Sequence, residues 1–466
     1  MLRELKDLKG MKKIHFVGIG GAGMSPLAKV LAEMGYEISG SDRADSEILR
    51  HLRELGAKIY LGQDGEQVRG VDAIVVSTAI PYDNPEVLAA KALGIPKLHR
   101  SDINAALVND GRYRGIAVAG SHGKTTTTSM LGVTLEKMGL SPTIVIGGEV
   151  ADLGTNGKLG SGEYMVTEAD ESDGSFVKLH PYIAVVTNIE NDHLDHYGTL
   201  ENIRAAFREF LGNVTPEGQA VLCAENEILR EIAAKGELSS PVHTYAIDFE
   251  ADYRAVNIAP HEVGIAFDVL HAEKILGHVE LNIPGRHNVL NAMATIVTGL
   301  IIGKSVAEIA AGLKSFHGAK RRFETKGKEK GVWIVDDYGH HPTEIATTLK
   351  AARQTSPTRL ICVFQPHRYS RTKLLRQEFG GAFQAADLLI LTDIYSAGEA
   401  PIPGITGESI AAEVKKQTGK DPIYIAKRQD LAPYLKSIAQ PGDLIITMGA
   451  GDIYKTGEEL VKLYQA

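Results

Sequence analysis

IAVAGSHGKTTTT, residues 116–128, is the stretch on which the fold turns. Ile116 to Ala119 are small or β-branched apolar residues that make a buried strand, Gly120 ends it, and a helix-length run begins at Lys124. The general phosphate-loop pattern needs a glycine at position 118, where this chain has Val118, so the shorter form Gly120-x-x-Gly123-Lys124-Thr125 is the one that fits. In that form the backbone N–H groups of Gly120, Ser121, His122, Gly123 and Lys124 wrap a β-phosphate. The Lys124 ammonium pairs with β/γ oxygens, and the Thr125 hydroxyl binds Mg²⁺. Four threonines in a row, with Thr126 next after Thr125, lose side-chain freedom inside a helix but suit a first turn beside phosphate.

The strand-then-helix rhythm continues in both directions. IHFVGIG, AIVVSTAI, YMVTEAD, IAVVTNIE, VWIVDDY, LICVFQ, LLILTDIY and DLIITMGAG are short apolar runs bounded by Gly, Asp or Asn. Such alternation predicts βαβ units and parallel sheets, an α/β fold. One sheet of so many strands is unusual, so they divide among domains. A length of 466 residues allows three, at about 150 residues each. Boundaries are expected near residues 101–113, where an apolar helix pattern ends in NDGRYRG, and near residues 318–331. The expected domains are 1–107, 108–320 and 321–466. The second boundary, GAKRRFETKGKEKG, carries Lys320, Arg321, Arg322, Lys326, Lys328 and Lys330 against Glu324 and Glu329, and most of it reads as a solvated linker.

Near the N-terminus, GIGGAG places Gly18, Gly20 and Gly23 in G-x-G-x-x-G spacing, after the strand IHFV and before a helical run from Ser25 to Met34. Glycines there permit a tight turn with backbone close to phosphate, and Asp42 ends the next strand where a dinucleotide fold keeps its ribose-binding acid. Taken alone, this is an NAD site, although any nucleotide diphosphate fits the same geometry. Past the phosphate loop, YMVTEADESDGSF presents Glu168, Asp170, Glu171 and Asp173. IAVVTNIENDHLDHY presents Asn188, Asp192, His193, Asp195 and His196. A single acidic cluster is commonly a solvated loop. Two of them at strand ends behind a phosphate loop point to Mg²⁺, a cation that takes oxygen ligands.

Composition removes several classes of function. Asp plus Glu (58) exceeds Lys plus Arg (50), a net charge of −8, whereas nucleic-acid binders carry a basic domain or stripe. Hydrophobic residues at 44% and charged residues at 23% belong to an ordered globular chain. Two cysteines, Cys223 and Cys362, cannot build a disulfide framework and are expected as buried thiols. No run approaches the length of a membrane span, and MLRELKDLKGMKK lacks the apolar core of a secretory signal, so a cytoplasmic location is expected, with no nucleic-acid or membrane partner.

An NAD-dependent oxidoreductase would use the glycine turn and Asp42 but has no task for a phosphate loop downstream. A chain with both features is expected to bind a nucleotide-linked substrate at one and split ATP at the other. In order along the chain, GIGGAGM, GSHGKTTTT, EADESD, NDHLDH, GRHNVLNAMA, DDYGHHPTE and FQPHRYSRT closely resemble the Mur ligase family, from about Lys12 to the C-terminus.

This resemblance implies a Rossmann-like UDP-binding domain, a central ATPase domain and a C-terminal Rossmann-like domain for the amino acid. It implies ATP-dependent joining of L-alanine to the lactyl carboxylate of UDP-N-acetylmuramate, in peptidoglycan synthesis, by a monomer or weak homodimer. By motif, Gly18, Gly20, Gly21, Gly23, Met24 and Asp42 would hold the UDP-sugar. Lys124 and Thr125 would hold ATP and one Mg²⁺, Glu168 would ligate Mg²⁺, and His193 a second metal. Asn288 would contact the adenine, Asp337 the ribose and Arg322 the γ-phosphate. Tyr338 and His340 would face the reacting groups, and Arg368 and Arg371 would receive the alanine carboxylate. Several relatives place a carbamylated lysine shortly after the metal histidine. LDHYGTLENIRAAFREF, which follows His193, holds no lysine, and this agrees with the alanine-adding class. A sister ligase that attaches a recycled tripeptide to the same sugar is separated from it only weakly, through GIGGAG and SAGEAPIPG.

The chemistry expected is activation of a poor electrophile, with the carboxylate phosphorylated to an acyl phosphate by positioning and electrostatics. Arg322 would then be both hinge and catalytic cation. Arg368 and Arg371 lie three apart and share a face if the segment is helical. Losing one charge-assisted bond, about 1.5–3 kcal/mol, should cost roughly 10–150-fold in alanine use. His340 and His341 are either core or capping histidines, or one of them deprotonates the amine. SAGEAPIPG, residues 396–404, is expected as a loop near the amino-acid site.

Overall fold

The computed structural model describes residues 5–8, 10–191, 193–261 and 264–465. Three sheets carry the fold. The first has β1 (Lys13–Val17), β2 (Glu37–Asp42), β3 (Lys58–Leu61), β4 (Ala73–Val76) and β5 (Lys97–His99), in the order β3-β2-β1-β4-β5 with every pair parallel. Ile14, Phe16 and Val17 of β1 are fully buried, and the glycine turn leads from β1 into the helix Ser25–Glu33.

The second sheet contains β6 (Arg114–Ala119), β7 (Thr143–Val150), β8 (Thr155–Lys158), β9 (Tyr164–Glu168), β10 (Ile183–Val186), β11 (Gln219–Cys223), β12 (Val242–Ala246), β13 (Tyr253–His261), β14 (Gly264–His271) and β15 (Lys274–Leu281). Their order is β15-β14-β13-β12-β11-β10-β6-β9-β7-β8. β6 lies between two parallel neighbours, β10 and β9, and Ile116 to Ala119 are inaccessible to solvent. That arrangement accounts for a run of apolar residues without alternation. It also collects the carboxyl ends of β6, β9 and β10, where open α/β sheets bind their ligands.

The third sheet has β16 (Glu324–Glu329), β17 (Val332–Asp337), β18 (Arg359–Phe364), β19 (Leu388–Leu391), β20 (Ile423–Tyr424) and β21 (Asp443–Met448), in the order β16-β17-β21-β18-β19-β20. All pairs are parallel except β16 with β17. Its central strands β17, β21 and β18 are buried on both faces. Leu360, Cys362 and Phe364 of β18 face one core and Ile361 and Val363 the other.

β16 corrects one expectation. The charge run expected as a solvated linker is, from Glu324 to Glu329, an edge strand paired antiparallel with β17. Its charges are compatible with an edge, which lysines protect from further pairing. Lys326 pairs with Glu324 and Glu458, and Lys328 lies 4.6 Å from the Trp333 ring. The cysteines are both free and buried. No helix among the described residues is long and apolar enough to cross a membrane.

The chain forms two compact units. One comprises residues 1–257, 267–279 and 290–316, and the other residues 258–266, 280–289 and 317–466.

Candidate active site

In the first unit the phosphate loop is held from behind by the end of β10. Asn188 Oδ1 accepts the His122 N–H at 2.8 Å, and Asn188 Nδ2 donates to the His122 carbonyl at 2.9 Å. The Thr187 hydroxyl donates to the same carbonyl at 2.6 Å. Gly120, at φ +138°, lies where a Cβ would run into Thr187 Oγ1, and Gly123, at φ +85°, opens the helix Lys124–Lys137. Thr125 and Thr126 form its first turn, as the threonine run suggested.

Lys124 Nζ donates to the Gly120 carbonyl at 2.5 Å and to Glu171 Oε1 at 2.8 Å. Burial pulls the lysine pKa down, but Glu171, Asp170 and Glu168 outweigh it and hold the ammonium above the ordinary lysine value. Glu171 is 2% exposed, and its Oε2 makes no hydrogen bond among the described residues. Asp170 works against burial too, and Arg100 at 2.5 Å together with Lys124 keeps its carboxyl well below the usual range. Ser121 Oγ accepts the Glu190 N–H at 2.9 Å.

The Thr125 hydroxyl donates to Glu168 Oε2 at 3.2 Å, and Glu168 Oε1 accepts the Gly147 N–H at 2.7 Å. Two hard oxygens at that separation fit Mg²⁺, because about 3 Å is the edge of an octahedron built on ~2.1 Å bonds. His193, in left-handed backbone at φ +56°, has its Nε2 3.5 Å from Glu171 Oε1. Asp192 lies outside the described residues, as does the side chain of Asp195.

The glycine turn is tied to β2. Gly18 and Ile19 donate to the Ser41 carbonyl at 2.9 Å each, and Gly20 donates to Asp42 Oδ2 at 2.9 Å. Asp42 Oδ1 takes the Arg43 N–H at 2.7 Å, so both oxygens of this acid serve the backbone. Met24 N–H donates to the Gly21 carbonyl at 2.9 Å, and a Cβ on Gly23 would lie 2.9 Å from Arg100 Nη1.

In the second unit, β17, β21 and β18 are parallel neighbours whose carboxyl ends carry residues 337–340, 449–452 and 365–371. Buried Asp337 accepts the Phe323 N–H at 2.9 Å and the Gly339 N–H at 2.8 Å. Burial lifts its pKa to about 6 in spite of Arg322. The Tyr338 ring lies 5.0 Å from the Arg321 guanidinium and 5.3 Å from that of Arg322. Arg321 is an anchor, bonded to Asp336 Oδ2 at 3.0 Å and to the Gly449 carbonyl at 2.5 Å. Arg322 lies 3.9 Å from Glu344. Asn288 Nδ2 donates to the Pro284 carbonyl at 2.7 Å at the head of the helix Arg286–Ile301.

The two adjacent histidines separate. His341 caps the helix Pro342–Gln354, its ring accepting the Thr343 N–H, and Glu344 completes the box. His340 Nδ1 lies 3.2 Å from the Tyr338 carbonyl. A carbonyl only accepts, so this contact places the ring proton on Nδ1 and leaves Nε2 as the basic nitrogen. Burial, with Arg371, lowers the His340 pKa to about 4 against the pull of Glu344, so the ring is neutral at pH 7. The His367 ring centre is 6.0 Å away, and its Nδ1 is 3.2 Å from Arg371 Nη1. A guanidinium only donates, so His367 is the acceptor. Burial, His340, Arg371 and Arg368 push its pKa down to about 3.

Arg371 is on the helix Tyr369–Leu374, but Arg368 is the residue before it, at φ +68°. The expected shared helical face is therefore absent, because Arg368 has left helical backbone. Arg321, His367 and the partnership of Glu171 with Lys124 escaped the sequence reading. Each depends on a side chain meeting an element distant in sequence.

Three family models match the chain in succession: the Mur ligase family catalytic domain at residues 13–112, the Mur ligase middle domain at 118–299, and the Mur ligase glutamate ligase domain at 321–451. The chain belongs to the Mur ligase family. It is 50% identical over 452 residues, 97% of each chain, to the UDP-N-acetylmuramate–L-alanine ligase of Pelotomaculum thermopropionicum. The crystal structure of a UDP-N-acetylmuramate–alanine ligase from Thermotoga maritima matches with a TM-score of 0.82 at 29% identity, covering 97% of this chain and 99% of that one. A murein peptide ligase from Psychrobacter arcticus matches with a TM-score of 0.73 at 26% identity, covering 98% and 99%.

Proposed function

We propose that this Mur ligase joins L-alanine to the lactyl carboxylate of UDP-N-acetylmuramate in the cytoplasm, converting ATP to ADP and phosphate. The observation that carries this reading is the 50% identity to an alanine ligase over 97% of both chains. It favours alanine over a recycled tripeptide as the incoming group. The phosphate loop around Lys124 favours a ligase over an NAD-dependent oxidoreductase.

A carboxylate in water resists attack by an amine, and phosphorylation gives it a leaving group. In the first unit the loop amides and Lys124 bind the β- and γ-phosphates and stabilise the charge that spreads over the transferring group. Thr125, Glu168 and His193 would hold Mg²⁺, up to two ions, which would neutralise phosphate oxygens. By motif, the glycine turn, Gly18 to Met24, would keep the UDP-sugar, and Asn288 and Asp337 would serve the adenosine. Arg322 and Tyr338 carry positive charge and a ring to the reacting groups. Arg368 and Arg371 take the alanine carboxylate. His340 Nε2 accepts the proton that the amine nitrogen sheds as the C–N bond forms and phosphate leaves.

Phosphate release is the test, with UDP-N-acetylmuramate, ATP and a panel of L-alanine, L-serine, glycine and a muropeptide tripeptide. Release should depend on both the sugar and alanine, and should vanish in Lys124→Ala. Turnover with the tripeptide but not alanine, or release independent of any amine, would overturn the assignment.

A further inference from the structure

The loop that follows Tyr395, residues 396–404, is irregular backbone whose task the reaction leaves unassigned. It reaches the arginine segment at two points. At its head, the Tyr395 carbonyl accepts the Arg368 N–H at 2.9 Å, and the Tyr395 N–H donates to the Pro366 carbonyl at 2.8 Å. The Tyr395 ring stacks on that of His367, at 5.8 Å between centres and 10° between planes. Further on, Glu399 grips Ser370, one of the two residues between the arginines. Its Oε2 accepts the Ser370 N–H at 3.0 Å and its Oε1 the Ser370 hydroxyl at 2.6 Å.

Between these tethers Arg368 has φ +68° and ψ 138°, a backbone state that residues with a side chain avoid. Such a state persists where surrounding contacts over-determine it, and it is found at ligand clamps. The Arg368 carbonyl is held as well, by the Thr372 hydroxyl at 2.8 Å and the Thr372 N–H at 3.1 Å. Glycine would relieve the strain but would supply no guanidinium.

We infer that Glu399 is a positioning residue for the amino-acid site, fastening Ser370 so that Arg368 keeps its strained backbone and Arg371 stays against His367. The inference rests on the alanine reading above. The arginine pair meets a carboxylate already oriented, so less freedom is lost when the amino acid binds. If Glu399 merely stapled one surface loop, its removal would leave alanine use unchanged.

The test uses full-length Glu399→Ala and Glu399→Gln, with Arg368→Ala alone and combined with Glu399→Ala. Glu399→Ala should raise the KM for alanine by about tenfold or more, in line with the loss of a charge-assisted bond. Its kcat, and its KM values for ATP and the UDP-sugar, should move by less than about threefold. Glu399→Gln, which keeps one acceptor oxygen, should fall between. In the Arg368→Ala background the same Glu399 change should add less than it does in the wild type, because only its hold on Arg371 remains and residues acting as a unit are non-additive. An unchanged alanine KM, an equal loss in all three substrates, or a full multiplicative effect in that background would overturn the inference. If Glu399→Ala does not fold, Glu399→Gln and Ser370→Ala decide, an alanine-specific rise supporting it and its absence overturning it. A wild-type enzyme that released no phosphate with alanine would refute the substrate reading instead. Hydrogen exchange at residues 366–372, which needs no substrate, would still judge the positioning. Exchange there should be faster in Glu399→Ala, and unchanged exchange would sink it.

Discussion

At the scale of single residues, the sequence places His340 beside His341 and offers no way to choose between them. The choice comes from tertiary surroundings: a free helix end for His341, and a backbone carbonyl with buried neighbours for His340. The consequence is a pH profile unlike that of an ordinary histidine. If His340 must be neutral to accept the amine proton, activity is lost as pH falls through its folded pKa of about 4, not through ~6.5. For the wild type, kcat/KM for alanine should show no histidine inflection between pH 5 and 8. His340→Asn should lower it by roughly 10²–10⁴-fold, the span of general-base catalysis. An inflection near 6.5 that survives in His340→Asn would assign the proton transfer elsewhere.

At the scale of the element, β6, its loop and the following helix were legible because their signals are local: an apolar run, two glycines at set spacing, a lysine and threonines. β16 was not. Charge in sequence reads as solvation, and only the pairing with β17 shows that an edge strand tolerates the same residues. The loop's two glycines do different work, and that difference is measurable. At Gly123 an alanine pays for left-handed backbone, about 1–2 kcal/mol, and its close contact is with a side-chain atom, the Asn291 amide oxygen at 2.8 Å, rather than with backbone. At Gly120 the added carbon also meets the Asn188 backbone at 3.0 and 3.1 Å, and the Asn188 carbonyl is itself the acceptor of the loop's Ser121 N–H at 3.1 Å. ATP-dependent phosphate release in Gly120→Ala should therefore fall well below that in Gly123→Ala, whose loss should stay near tenfold. Equal losses in a side-by-side assay would mean that the Asn188 backbone does not shape the loop.

At the scale of the whole molecule, the parallel sheets could be read because strands covered on both faces are apolar throughout, as in β6, β18 and β21. β13, whose burial is broken by exposed positions, gave no such run. The same burial that made the third sheet legible also sets the acid response of its unit. His287, His340 and His367 have folded pKa values of about 4, 4 and 3, lowered first by burial and then by neighbouring cations. Unfolded, each titrates near ~6.5. Between about pH 4 and 6.5 the unfolded chain therefore binds more protons than the native one at these sites, and stability rises with pH across that window. Asp337 acts in the opposite sense. Its folded pKa of about 6 exceeds the unfolded value of 3.8, so its contribution is present at low pH and is lost as pH rises through 6. Three groups outweigh one, and the melting temperature should drop as pH falls from 6.5 to 4. Carboxylates elsewhere add their own slope, so the decisive quantity is a difference between variants. His367→Asn removes one of the three and should flatten the Tm-against-pH curve in calorimetry relative to wild type. Parallel curves would show that His367 is protonated as readily in the folded protein as in the unfolded chain.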